Sequence, residues 1–280
     1  FIIPVKPDLY LSKEQWEYFK LDNDYYRILA YRPLIDYTAI AHNIFTIYGE
    51  DSSVELKNYR EFQERIRDFD KFLNVKYILS ISELNNERYE KISKRSITVI
   101  EAFNPTNVIS YSAKMNIYRI KDFIPRAFIV HKIIVAKDEE DIFKVLNDAS
   151  FNPREVAVLG GEGFFLRMPS QSKDLGREFV EIVDYTPNCI KLKTVLEKPG
   201  LLVLNEIFFP GWKVYVNGHP REIFKANYLL RAVYLKEGRY EVKFVYEPIF
   251  FKIGIGITFL TIIILSSIGI TKILKLIKRL

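Results

Sequence analysis

The chain contains one cysteine, Cys189, in 280 residues, which rules out an intrachain disulfide. Histidine is almost as scarce. His42, His131 and His219 stand far apart, with no neighbouring cysteine and no helical His pair, so the sequence shows no metal-ligand pattern and no metal is expected. There is no Gly-x-Ser-x-Gly elbow, and Cys189 has no suggested partner base. The glycine-rich stretch Gly160-Gly161-Glu162-Gly163 lacks the Lys-Ser/Thr of a phosphate loop and reads as a linker. No catalytic residue and no cofactor site are assigned. Internal repeats and low-complexity tracts are also missing. The start, Phe1-Ile2-Ile3-Pro4, has neither the basic region nor the small-residue cleavage site of a signal peptide, and the chain reads as a piece of a longer polypeptide.

Composition argues for sheet and against nucleic acid. Eighteen Tyr and twenty-one Phe suit half-buried strands. The net charge is +6, and Lys272, Lys275, Lys278 and Arg279 near the C-terminus supply four of those charges. The remainder is nearly balanced, so no broad basic field faces phosphates and no nucleic-acid partner is expected.

The longest hydrophobic run lies near the end. From Ile253 to Thr271 nineteen residues carry no charge, and as a helix they cover about 28 Å, close to a bilayer core. With Pro248, Phe250, Phe251 and Lys252 at its start, the expected transmembrane helix spans 249–271. A buried core helix is the rival reading, but core helices are seldom apolar around the whole circumference. The basic run 272–280 then marks a cytoplasmic tail, which puts the preceding soluble part outside the cell membrane.

Between Phe179 and Tyr246 short strands alternate with turn residues. Cys189–Leu196 places Ile190, Leu192 and Thr194 on one face and Lys191 and Lys193 on the other. Pro199-Gly200 and Pro210-Gly211 break the pattern, and Asn217-Gly218 is a strong signal for a tight hairpin. An antiparallel β-sandwich over 179–248 is expected. The preceding residues, 1–165, read as a mixed α/β domain joined by a linker at 166–178, so the fold class is α+β. Ser12-Lys13-Glu14-Gln15 and Ser52-Ser53-Val54-Glu55 fit capping boxes for helices over 13–20 and 54–73. Strands are expected at 75–80, 96–101, 116–120 and 126–136, and a helix at 139–146. Glu139-Glu140-Asp141 sits in the first turn of that helix, where the macrodipole accounts for it without catalysis.

The stretch Phe209-Pro210-Gly211-Trp212-Lys213-Val214-Tyr215-Val216-Asn217-Gly218, then Ala226-Asn227-Tyr228-Leu229-Leu230-Arg231-Ala232-Val233, then Glu247-Pro248 and the apolar run, resembles the C-terminus of the YfhO family of polytopic membrane proteins. Tyr26-Arg27-Ile28-Leu29, Leu73 through Leu79, and Ile124-Pro125-Arg126-Ala127-Phe128 resemble the same family's long extracytoplasmic segment. The chain departs from that pattern at Phe209, Asn217 and Glu50, where Tyr, an acidic residue and Tyr are expected. The resemblance implies kinship with glycosyltransferases that use polyprenyl-phosphate-linked sugars, their catalytic carboxylate lying in an upstream loop. The implied partners are the lipid bilayer, a lipid-linked sugar or cell-envelope glycan, and upstream transmembrane helices of the same protein. The competing reading is a non-catalytic envelope scaffold or glycan-binding membrane module.

Four residues are candidates for glycan contact: Tyr215, Asn227, Tyr228 and Arg231. Aromatic rings pack on apolar sugar faces, and the amide and guanidinium groups would supply polar contacts beside them. Trp212, which alternates with Val214 and Val216, is expected to point into the core.

Overall fold

The computed structural model describes residues 8–10, 19, 22, 24–30, 45–46, 56–104, 107–161 and 177–277. Among them are three sheets and three α-helices. The first sheet combines β1 (Asp8–Tyr10), β2 (Arg27–Ala30), β3 (Phe45–Thr46), β4 (Val75–Ser80), β5 (Tyr89–Asn104) and β6 (Asn107–Ile120), in the order β1-β5-β6-β4-β2-β3. It is mixed: β2 runs parallel to β3 and β4, and the other pairs are antiparallel. The expected strand at 75–80 is β4, and those at 96–101 and 116–120 lie inside the longer β5 and β6.

The second sheet combines β7 (Ala127–Val130), β8 (Lys132–Ala136) and β9 (Val156–Gly160) with β12 (Gly200–Ile207), β15 (Phe224–Ala226) and β16 (Leu230–Leu235), in the order β7-β12-β16-β15-β9-β8. The third contains β10 (Phe179–Thr186), β11 (Cys189–Leu196), β13 (Trp212–Val216), β14 (His219–Arg221) and β17 (Gly238–Tyr246), in the order β10-β11-β17-β13-β14, all antiparallel. These two sheets share a core built from Ile190, Leu192, Leu202, Leu204, Val214, Val233, Val242 and Phe244. Residues 179–248 do not make up both sheets, because β7, β8 and β9 complete one of them. The expected boundary at 166–178 therefore falls between strands that belong to one sheet. Patterning within 179–248 showed which faces are buried and carried no information on which earlier strands join.

The opposite face of the second sheet, with Leu201, Val203, Leu230 and Ala232, packs against α1 (Lys57–Arg65), α2 (Glu139–Leu146) and the first sheet through Phe62, Phe72, Phe143 and Tyr118. Helix α2 starts where expected, with the Asp138 carboxylate accepting from the Asp141 N–H at 2.8 Å. Helix α1 is shorter than expected: Leu56 holds its N-cap position without a side-chain hydrogen bond, and a 3₁₀ turn follows at Phe69–Lys71. Both capping-box tetrads, at 12–15 and 52–55, lie outside the described residues. The strand expected at 126–136 divides at His131 into β7 and β8, which sit at opposite edges of the second sheet.

Helix α3 (Ile249–Ile277) follows β17. Its first 22 residues, Ile249–Ile270, are apolar and have no buried share, and a helix of that length rises about 33 Å. Phe250, Phe259 and Leu265 are exposed, so the rival core-helix reading does not hold. Within the helix, Thr258, Thr261 and Ser267 donate to the carbonyls of Gly254, Ile257 and Ile263, each at 2.9 Å. The hydroxyls are satisfied internally, as an apolar surrounding demands.

Candidate functional site

The motifs that carried the family resemblance meet at two seams. The first is the base of α3. Gly211 has φ +103, and a Cβ there would lie 2.9 Å from Tyr246 Cε2 and 3.3 Å from Pro248. Only glycine supplies both the backbone angle and the clearance. The Glu247 N–H donates to Gly211 O at 2.7 Å, and the Trp212 and Tyr246 rings lie 5.5 Å apart. The Pro-Gly-Trp turn and the Glu-Pro pair thus form one joint between sheet and membrane helix.

The second seam binds strands far apart in sequence. Asn227 and Tyr228 adopt φ +49 and +66. Asn227 N–H donates to Val158 O, and Asn227 Oδ1 accepts from Val158 N–H, both at 2.8 Å. The side chain replaces a missing rung between β15 and β9, which pair only at Ala226 and Leu159. Tyr228 donates to Glu61 Oε2 at 2.7 Å, packs 4.5 Å from the Phe143 ring, and receives Lys225 Nζ 4.1 Å above its own ring. That hydrogen bond, opposed by partial desolvation, leaves the Glu61 carboxyl below its ordinary range, while burial and Glu61 push the Tyr228 phenol upward.

The four candidate glycan contacts are consequently dispersed. Tyr215 alone faces the outside of the third sheet, in a groove of about 460 Å³ that it shares with Val183, Lys191, Lys193, Glu241 and Lys243. Asn227 and Tyr228 are buried in the seam just described, and Arg231 is buried elsewhere. Trp212 packs against the inner core as expected, with the Arg231 guanidinium 3.7 Å over its ring.

Arg231 belongs to a charged centre at the end of the sheets next to α3. Glu206 on β12 is its only carboxylate among the described residues. Its Oε1 lies 2.5 Å from Arg126 Nη2 and accepts from the Tyr185 hydroxyl at 2.5 Å. Its Oε2 is 3.5 Å from Arg27 Nη2 and 3.8 Å from Arg231 Nη2. Arg27 also donates to Leu73 O at 3.0 Å, Asn205 Oδ1 at 2.9 Å and Asn205 O at 3.0 Å, which ties β2 to β12. Arg126 donates to Asn74 Oδ1 at 3.3 Å and lies against the Phe45 and Tyr185 rings. Tyr25 stacks on Tyr185 at 5.0 Å.

Three guanidinium groups therefore share one carboxylate. Burial pushes Glu206 upward, but Arg126 and Arg27 outweigh it and hold the carboxyl below its ordinary range. Burial lowers Arg27 to about 10, and repulsion from Arg126 adds to it. Arg231 is likewise lowered to about 10, chiefly by burial. Arg27 and Arg231 remain cationic at neutral pH. Sequence reasoning named Arg231 and missed Arg27, Arg126, Glu206 and Tyr185. A usable signal was there: each of the four charged residues stands alone in an apolar run, as in Tyr26-Arg27-Ile28-Leu29 and Leu229-Leu230-Arg231-Ala232, and a lone charge on a buried strand requires a partner.

A sheet-rich region joined through the Gly211 turn to an exposed apolar helix is the arrangement of a membrane protein. Residues 167–258 match the family described as bacterial membrane protein YfhO, so the chain carries a YfhO-family region across β10–β17 and the start of α3. No curated protein matches the chain. It is similar to a solved structure described as the single-particle cryo-EM structure of arabinofuranosyltransferase AftD from Mycobacteria, at 10% identity and a TM-score of 0.21. That similarity covers 61% of this chain and 12% of the other, so this chain spans a small part of that protein's length.

Proposed function

We propose that these residues form the extracytoplasmic, membrane-anchored accessory region of a membrane glycosyltransferase-like protein that acts on lipid-linked sugars or cell-envelope glycans, its catalytic residues lying elsewhere in a longer polypeptide. The carrying observation is the joint at Gly211, Tyr246 and Pro248. It fixes the groove around Tyr215 to the strand that enters the membrane helix, so a sugar held there stays at a set height above the bilayer. The groove has the chemistry for such a ligand: one aromatic ring for an apolar sugar face, with three lysines and two glutamates around it to bond hydroxyls. The basic residues Lys272, Lys275, Lys278 and Arg279 support placing the tail in the cytoplasm and the sheets outside.

The test is sugar transfer in proteoliposomes from a polyprenyl-phosphate-linked donor. Full-length protein should transfer, this 280-residue region alone should not, and Tyr215→Ala in the full-length protein should lower transfer roughly tenfold, the equivalent of about 1.4 kcal/mol. Turnover by the region alone would contradict the reading, and inactivity of the full-length protein toward every such donor would favour a scaffold.

A further inference from the structure

The arginine centre has more positive charge than its own residues neutralise. Arg126 and Arg231 have side-chain exposures of only 3% and 4%. Even so, Arg126 Nε and Arg231 Nη1 are buried donors with no hydrogen-bond partner among the described residues. A buried charged donor left without an acceptor is among the costlier features a fold can carry. The one carboxylate does not relieve it, since Glu206 Oε1 is taken by Arg126 and Tyr185 and Oε2 stands 3.5 and 3.8 Å from the other two guanidinium groups. Among the described residues the centre is left with an excess of two formal positive charges.

We infer that this centre is an anion site for a dianionic phosphate group, as a phosphate monoester or inorganic phosphate, with Glu206 as the resident anion that the ligand joins or displaces. Planar guanidinium forks match the tetrahedral oxygens of phosphate, and an excess of two charges suits a phosphate better than a single carboxylate. Solvent reaches the centre where Arg27 and Glu206 are exposed, at 13% and 14% of their side chains. The site also has a definite height. Arg231 lies over Trp212, Trp212 lies against Tyr246, and Tyr246 precedes Pro248 at the base of α3. A phosphate bound there sits at the membrane end of the sheets, within reach of a lipid headgroup or of a soluble ester. It is separate from the Tyr215 groove, which opens on the outer face of the third sheet, so either proposal can fail without the other.

The experiment uses the full chain in phosphatidylcholine nanodiscs and follows the unfolding midpoint of the sheets by tryptophan fluorescence. One arm replaces chloride with inorganic phosphate at constant ionic strength, and the other adds phosphatidic acid to the discs. A saturable rise on the order of 5 °C is expected in at least one arm at a hundredfold excess over the dissociation constant. A response to inorganic phosphate assigns the site to soluble anions, and a response to phosphatidic acid alone assigns it to a headgroup. Arg231→Ala should abolish the rise, while Tyr215→Ala should keep it. Glu206→Gln retains all three arginines and removes the competing carboxylate, so its rise should exceed that of the unaltered protein by severalfold in ligand affinity. No rise in either arm, or an equal response from Glu206→Gln, overturns the inference, including where Arg231→Ala does not fold.

Discussion

Gly211 and Pro248 touch across the joint between sheet and helix: a Cβ on Gly211 would lie 3.3 Å from Pro248 Cα and Cβ, and 2.9 Å from Tyr246 Cε2. Gly218, in the hairpin after β13, also has a positive φ, +80, but nothing within 4 Å of a built Cβ. The pair separates backbone strain from crowding. Gly218→Ala should cost about 1 kcal/mol, and Gly211→Ala should cost more, about 2–3 kcal/mol. Urea unfolding of the two variants reads the difference, and equal costs would show that the joint yields to a methyl group.

Asn227 should be indispensable for structure. Asn227→Ala leaves the Val158 N–H buried without its acceptor, at a cost of about 1–3 kcal/mol, and it also loses a residue that tolerates positive φ. Asn227→Gly keeps the backbone freedom and still loses the acceptor. Both variants should show faster amide exchange at Val158, and protection unchanged from the parent protein would remove the seam from the account.

Tyr228 divides into two parts. Tyr228→Phe keeps the ring against Phe143 and drops only the bond to Glu61, so it should cost about 0.5–1.5 kcal/mol. Tyr228→Ala empties a fully buried site and should cost about 3–5 kcal/mol. A glycan-binding assay on the alanine variant would therefore report unfolding, and calorimetry of the two variants should show this ordering.

Glu206 gives stability an acid limb. Its folded-state carboxyl lies below its unfolded value, so the unfolded chain binds the proton more readily as pH falls. The contribution is fully present above the ordinary glutamate range and is lost as pH drops through the lower folded value. Glu206→Gln should flatten that part of the profile below pH about 4.5, measured as unfolding midpoint against pH. An unchanged acid limb would place the dependence on other carboxylates.

Much of the third sheet was legible because one of its faces meets solvent. The alternation of Ile190, Leu192 and Thr194 with Lys191 and Lys193 gave β11 its bounds, and Asn217-Gly218 gave the hairpin after β13. The apolar helix was equally plain, since nineteen uncharged residues leave few other uses. Sheet membership was not legible. β7 and β12 are neighbours in space yet some seventy residues apart in sequence, and no local pattern encodes that pairing. Asn227 and Tyr228 misled for a related reason: a polar and an aromatic residue side by side suggest a ligand face, but here their positive φ turns one onto Val158 and the other onto α1. The arginine centre needed three dimensions, because Arg27 lies on β2, Arg126 just before β7 and Arg231 on β16, and only the fold brings them to Glu206.

The central claim is that the sheets lie outside the cell and the basic tail inside, with α3 crossing between them. Cys189 is the chain's single free cysteine, so a Cys189→Ser background allows one reporter thiol at a time. In intact cells, a membrane-impermeant maleimide should label His219→Cys at the exposed start of β14 and leave Lys278→Cys unlabelled until the membrane is opened. Labelling of Lys278→Cys from outside, or of both positions from the same side, would contradict the account.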